Sequence, residues 1–472
     1  MKKNYNSHMK RILIMSVFIL LGLILIYIYQ TPIKGLLRDY LPIYTKSYIN
    51  ELNNEKILKF IPKDQAIEAF RSFFILEDKL FLQKIKNHEY YVDDDLEGSF
   101  YNANFLKKVK NDKAIGTSYI SINQNYIFLV QENGLFFKIN KEDLALSEDF
   151  IEVNHIRSNI FNLIRYYDFY GQGQYGIKGF LVDEENIYVA FSNQVSDECF
   201  NVSILKAPFN LDYLNFEKFF IPNECIEINN DYGEYNASDS GGYLAEYDKD
   251  NFLFSTGTFR YRDHAQDLES ELGKILLIEK STGISRVLSY GHRNVQGIVY
   301  LQDEQQIWST EHGPNGGDEI NLNQFRSIDP INFGWPISSY GYHYASSEVN
   351  IEGAIISDLD HEFYNKAPLH KSHDQFGFEE PKLFFTPSIG ISAIASVKSE
   401  FIDKNVNLLF SSMGIHGLKN EKSIFAYNTN QNSYTKIFFG ERIRDMKYMP
   451  NKNIVVFNGE STGMIGFLTK RK

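Results

Sequence analysis

The sequence predicts an all-β fold: a six-bladed β-propeller carried behind an N-terminal transmembrane anchor helix and a short membrane-proximal stalk. Three observations carry that reading. Paired apolar runs recur six times, one long uncharged apolar run stands near the N-terminus, and glycine-rich polar corners separate the strand-like segments.

The anchor comes first. Ile12 through Tyr29 is uncharged and mostly apolar, close to the roughly 20 residues that a helix needs to cross a bilayer. Lys2, Lys3, Lys10 and Arg11 precede it, and the positive-inside rule leaves that end in the cytoplasm. A cleaved signal peptide is the competing reading. The run ends in Tyr27-Ile28-Tyr29-Gln30-Thr31-Pro32, with neither a small-x-small site nor a lipobox cysteine, which favours an uncleaved anchor. Residues 1–30 therefore read as a single-pass anchor in the cytoplasmic membrane, with the rest of the chain on the periplasmic, extracytoplasmic side. The cysteines, Cys199 and Cys225, both lie beyond it. An exported compartment is oxidising, so a disulfide between them is expected, with two buried thiols as the alternative.

Residues 31–115 read as the stalk. Ile67, Phe70, Phe73, Phe74, Leu80 and Leu82 are set among charges between Asp64 and Asn87, which suits one or two helices or mixed structure. Asp93-Asp94-Asp95 reads as a solvated turn.

From residue 116 to 470 the texture changes to short apolar runs separated by Asp, Asn, Gly and Pro. The pairs are Tyr119–Ile122 with Tyr126–Val130, Gly179–Val182 with Ile187–Phe191, and Tyr243–Tyr247 with Phe252–Ser255. Then follow Gly297–Leu301 with Gln306–Thr310, Ile391–Val397 with Val406–Ser411, and Asp445–Met449 with Ile454–Phe457. Apolar strand, polar turn, apolar strand is the hairpin pattern. Its recurrence every 55–65 residues or so points to propeller blades. A β-sandwich is the alternative, but the repeat runs too long for one. The 38 Phe and 31 Tyr suit a sheet-rich chain. A net charge of -12 without a basic stripe excludes a nucleic-acid partner.

The most informative stretch runs from Gly291 to Pro336. It reads Gly291-His292-Arg293-Asn294-Val295-Gln296-Gly297, then Trp308-Ser309-Thr310-Glu311-His312-Gly313-Pro314-Asn315-Gly316-Gly317-Asp318-Glu319-Ile320-Asn321-Leu322, then Asn332-Phe333-Gly334-Trp335-Pro336. The order and wording of these motifs resemble the glucose/sorbosone dehydrogenase family. Its members are soluble-type quinoprotein sugar dehydrogenases, six-bladed propellers that use pyrroloquinoline quinone (PQQ) and Ca2+. Fold and activity are separate inferences.

Quinone-dependent sugar oxidation needs cationic partners for a tricarboxylate cofactor and oxygen ligands for a hard cation. It also needs a base for the sugar hydroxyl proton. The resemblance places Arg293 and Asn294 at the cofactor's reactive carbonyl, so Arg293 is expected to have a catalytic as well as a cofactor-binding role. It places Gly313 and Pro314 where main-chain carbonyls ligate calcium, and Arg442 and Arg444 where cofactor carboxylates are held. Lys419 corresponds to a family lysine after a one-residue insertion. Asp318 and Glu319 follow as ligands of a second metal or as caps of the turn. His292 and His312 read as packing or hydrogen-bonding histidines. His343, His361, His370 and His373, in the long segment from Ile337 to Pro387, match no compact zinc motif.

The family's base histidine is missing. In Asn236-Ala237-Ser238-Asp239-Ser240-Gly241-Gly242-Tyr243, Asp239, or Ser238 with a one-residue shift, takes its position, and Asp239 is the candidate catalytic residue. Tyr243 replaces a family arginine, and Thr258 replaces the aspartate that orients the histidine. The resemblance implies a membrane-anchored, PQQ- and calcium-dependent aldose dehydrogenase that oxidises a sugar to its lactone and passes electrons to a respiratory acceptor. The alternative is a catalytically silent propeller that binds carbohydrate or a protein partner.

Overall fold

Each expected strand pair is an antiparallel pair in the structure, and further strands complete it outward. The structure is a computed structural model. It describes residues 79–471 except 107, 111–112, 116, 165, 167–168, 170–173, 232–234, 315, 325–328, 343–345, 351–352, 357–368, 399, 403–404 and 415–420. Blade 1 comprises Ser118–Ile122, Tyr126–Gln131, Phe136–Asn140 and Phe150–Ser158. Blade 2 comprises Ile177–Val182, Asn186–Ser196, Cys199–Pro208 and Glu217–Phe220. Gly241–Glu246, Asn251–Thr256, Lys274–Glu279 and Ser285–Tyr290 form blade 3. Val295–Leu301, Gln306–Glu311, Asp318–Gln324 and Leu383–Phe385 form blade 4. Blade 5 is Ile391–Ser396, Leu408–Ser412, Ser423–Asn428 and Ser433–Phe439. Blade 6 has Ile443–Met449, Ile454–Gly459 and Met464–Lys470.

The fourth strand of blade 6 comes from far upstream. Leu96–Asn102 pairs antiparallel with Met464–Lys470, from Leu96 opposite Lys470 to Asn102 opposite Met464. Lys79–Lys84 then pairs with both Leu96–Asn102 and Phe150–Ser158, which joins blades 6 and 1 into one continuous sheet. The inner strands of successive blades are neighbours, and that of blade 6 lies beside that of blade 1, closing the ring. The propeller's sheets therefore take in Lys79–Lys84, Tyr91–Val92 and Leu96–Asn102 of the expected stalk. The reason is physical: without Leu96–Asn102, the last blade would expose an unpaired edge.

The blades are buried on both faces, so their strands are nearly continuous in Ile, Val, Leu and Phe. Aromatic rings fill the wedges between sheets. Phe438 of blade 5 meets Phe457 of blade 6 at 4.9 Å, and within blade 5 Phe410 stacks on its cross-strand partner Phe425 at 4.7 Å. Cys199 and Cys225 form the expected disulfide, beside the short pairing of Ile226–Glu227 with Cys199–Phe200.

The apolar run at 12–29 and the rest of the stalk up to residue 78 lie outside the described residues. Among the described residues, no helix is long and apolar enough to cross a membrane.

Candidate functional site

Inner strands start, and second strands end, at the same end of the ring, because each pair is antiparallel. The candidate residues gather there. A break in register marks the start of the inner strand in blades 2 to 6: at Ile177/Gly179, Gly241/Leu244, Val295/Gly297, Ile391/Ile394 and Ile443/Met446. Such bulges bend a strand and re-aim its side chains. They turn Gln296 of blade 4 and Arg444 of blade 6 toward one another, with Arg444 Nη1 donating to Gln296 Oε1 at 3.2 Å. Arg293 and Arg444 thus sit at one end of the ring.

Asp239, just before the inner strand of blade 3, is buried. Its Oδ2 accepts from Arg293 Nη2 at 2.7 Å and Arg260 Nε at 2.9 Å. Asn294 Nδ2 lies 3.3 Å from its Oδ1. Burial alone would raise the carboxyl pKa, but Arg293 and Arg260 overrule it and hold Asp239 below the ordinary aspartate value. A carboxylate committed to two guanidiniums is a poor proton acceptor. Asp239 therefore anchors Arg293, which also donates from Nη1 to the His312 carbonyl at 2.8 Å.

A second carboxylate organises the blade 6 arginines. Glu460 Oε2 accepts from Arg444 Nε at 2.6 Å, and its Oε1 accepts from Arg442 Nη2 at 3.2 Å. Arg442 Nη1 donates to the Met413 carbonyl at 2.8 Å. Burial would raise the Glu460 carboxyl pKa, but Arg444 and Arg442 bring it down to about 2. Lys419 lies outside the described residues.

Blade 4 supplies the third part. Glu311 Oε1 accepts from the backbone N–H of Arg293 and, at 3.3 Å, from that of Asn294. Its Oε2 bonds His292 Nδ1 at 2.8 Å, while His292 Nε2 bonds Ser289 Oγ at 2.8 Å. His292 is fully buried and stacked on Phe333, so it fixes the Arg293-Asn294 corner, as a hydrogen-bonding histidine should. Gly313 packs against the backbone of Gly316 and Gly317 so closely that a Cβ would fall 2.2 Å from the Gly317 oxygen. Asp318 accepts from Ser388 Oγ and the N–H groups of Gly313, Ile389 and Ile391 at 3.0–3.2 Å. These bonds are those of a residue that caps the turn, one of the two roles expected of it. Glu319 is buried opposite Glu311. Burial and the Glu311 charge push its carboxyl well above the usual range. Beside these groups lies a narrow recess, partly open to solvent and shared by Arg293, His312, Gly313, Glu319, Trp335 and His373. Among the described residues, no group of three or more His, Cys, Asp or Glu is arranged to hold a metal.

Comparison with known proteins places this geometry. The Glucose / Sorbosone dehydrogenase family profile matches residues 166–466. The chain belongs to that family. It is 28% identical over 243 residues to the aldose sugar dehydrogenase YliI of Escherichia coli (strain K12), a match covering 47% of this chain and 58% of the relative. The chain spans about half the length of the curated relatives it matches. Its fold is similar to the soluble aldose sugar dehydrogenase of Escherichia coli in the apo-form, with a TM-score of 0.55 at 19% identity, covering 75% of this chain and 96% of that one. The PQQ-bound aldose sugar dehydrogenase of Streptomyces coelicolor gives a TM-score of 0.50 at 15% identity, covering 79% and 99%.

Family membership gives the arginines a purpose to be tested against their chemistry. Arg293, Arg442 and Arg444 form a donor set suited to an anionic planar ligand, so the residues fit a polycarboxylate cofactor. Sequence reasoning missed three parts of the site. Glu460 and Arg260 belong to no quoted motif and meet their partners only through the fold. Lys178 sits in the bulge of blade 2, where only the register break marks it.

Proposed function

We propose that this chain is a PQQ-dependent aldose dehydrogenase, oxidising a sugar at its anomeric carbon to the lactone and passing electrons to a respiratory acceptor. The observation that carries the proposal is the gathering of Arg293, Arg442 and Arg444 at one end of the ring, in a family whose relatives include aldose sugar dehydrogenases. When bound, PQQ supplies the two-electron acceptor for the hydride. Arg442 and Arg444 would hold its carboxylates by charge-assisted hydrogen bonds. Arg293, fixed by Asp239 and the His312 carbonyl, would place a positive charge at the carbonyl that is reduced. The Gly313 and Pro314 carbonyls, with Glu319 nearby, would supply the oxygen ligands of a calcium ion. We further propose that the apolar run at 12–29 anchors the protein in the cytoplasmic membrane and leaves the propeller on the periplasmic side.

A second reading, the catalytically silent propeller, draws on one observation: the residue in the place of the base is an ion-paired aspartate. One experiment separates the two readings. The purified protein is mixed with PQQ and calcium, its absorption spectrum recorded, and dye reduction followed with a panel of aldoses. Binding with turnover supports the dehydrogenase, binding without turnover supports the silent propeller, and no PQQ binding at any calcium concentration rejects the cofactor.

A further inference from the structure

Resting on that dehydrogenase reading, we propose that Lys178 is the proton acceptor for the sugar hydroxyl, taking over the role of the missing histidine. Its position carries the inference. Lys178 is the residue set free by the register break between Ile177 and Gly179. It is therefore the blade 2 counterpart of Gln296 in blade 4 and Arg444 in blade 6, whose side chains meet at the axial end. The neighbouring Ile177 N–H is bonded to the Glu132 carbonyl of blade 1 at 2.7 Å. On the other side Lys178 backs onto blade 3, where a Cβ added to Gly242 would fall 2.3 Å from its own Cβ. Gly242 is in turn three residues beyond Asp239. The bulge thus places Lys178 at the axial end of blade 2, its Cβ against the Gly242 backbone of the strand that follows Asp239.

The surroundings favour the neutral amine. Lys178 Nζ donates to the Gln174 carbonyl at 2.6 Å, which brings no opposite charge. Three charged groups act on it: Arg444 of blade 6 disfavours its ammonium, while Glu132 beside blade 1 and Asp239 beside blade 3 favour it. Asp239 is largely neutralised by Arg293 and Arg260, as Arg444 is by Glu460. Lys178 is half-buried, and desolvation is the largest influence, which with Arg444 brings the amine down to about 8. Lysines tuned to about 7–8 serve as bases near neutral pH. In the proposed step the anomeric O–H proton passes to the neutral Lys178 amine, forming its ammonium. The C–H hydride leaves for the quinone, so the sugar carbon loses two electrons and becomes the lactone carbonyl while the quinone is reduced.

The test compares wild type with Lys178→Arg, which keeps a charge but holds no exchangeable base, and with Lys178→Met. PQQ absorbance confirms loading before aldose oxidation is followed from pH 6 to 10. Both variants should load PQQ and lose on the order of 10²–10⁴-fold in rate, together with a limb that rises through about pH 8 in wild type. Independently of cofactor and activity, the acetylation rate of Lys178 against pH, read by peptide mass spectrometry, should show an amine titrating near 8. An arginine variant as fast as wild type, or an amine titrating near the ordinary value of about 10.4, overturns the assignment. A wild type that loads PQQ but oxidises no aldose at any pH overturns the base and leaves cofactor binding standing. A wild type that loads no PQQ overturns both.

Discussion

Two carboxylates at the axial end, Asp239 and Glu460, are each held by two arginines, yet the clusters differ in what their arginines have left to give. In the Asp239 cluster Arg293 is almost sealed, with 3% of its side chain exposed, and its donors also serve the His312 carbonyl. In the Glu460 cluster Arg442 and Arg444 keep 29% and 17% exposed, so donor edges still face outward. The first cluster is a brace that fixes one guanidinium. The second is a preorganised seat that can share its charge with a bound anion. The same residue types do different work because burial decides which hydrogen-bonding capacity remains.

The comparison can be broken most severely at Asp239. Asp239→Ala strands Arg293, and breaking a buried pair from one side costs about 3–5 kcal/mol; urea denaturation should show a loss of that size. A loss below about 1 kcal/mol would mean that the brace is dispensable.

At the seat the effect should appear in binding. Arg444→Ala is expected to weaken PQQ by about 1.5–3 kcal/mol, the range for hydrogen bonds to charged groups, in an absorbance titration with calcium present. Unchanged affinity would remove Arg444 from the cofactor site.

Acid sharpens the contrast further. The Glu460 carboxyl lies lower in the folded chain than the ordinary glutamate value of 4.5, so its contribution is complete above the unfolded pKa and fades as pH falls toward about 2. The stability difference between wild type and Glu460→Gln should therefore be constant from pH 7 to 5 and shrink below that. A difference that grows on acidification would contradict the pairing. The smallest effect is expected at Arg260, whose side chain is 26% exposed. Arg260→Ala should cost about 1 kcal/mol or less, read from the same urea transitions.

How much of this was legible depended on distance along the chain. The six strand pairs could be read because each strand lies beside its partner in sequence, with turn residues between, as at Asn123 to Asn125 and Gln302 to Gln305. Arg293, Arg442 and Arg444 could be read because they sit in motifs. Leu96–Asn102 was hidden, since nothing local distinguishes a strand whose partner is Met464–Lys470. The brace was hidden for a related reason: Arg260 sits in a turn with a φ of 75°, and only that backbone shape carries it back to Asp239. The donors that Asp318 gathers from Ser388, Ile389 and Ile391 were hidden, since they lie about 70 residues away. Lys178 carries no motif, and its position became meaningful only when the register breaks of three blades were compared.

The pairing of Leu96–Asn102 with Met464–Lys470 reaches beyond the finished ring to its assembly. Glu97 and Thr469, which meet across that seam, are separated by 372 residues. During synthesis the first of these strands can pair with Lys79–Lys84, but its other edge must stay open until residues 464–470 have been made. A contact of such sequence separation forms late, and an edge left open that long invites pairing with other chains. The ring therefore stays open until the last strand of blade 6 has been made, and a chain that stops short of residue 464 retains an open seam however well its first five blades have folded.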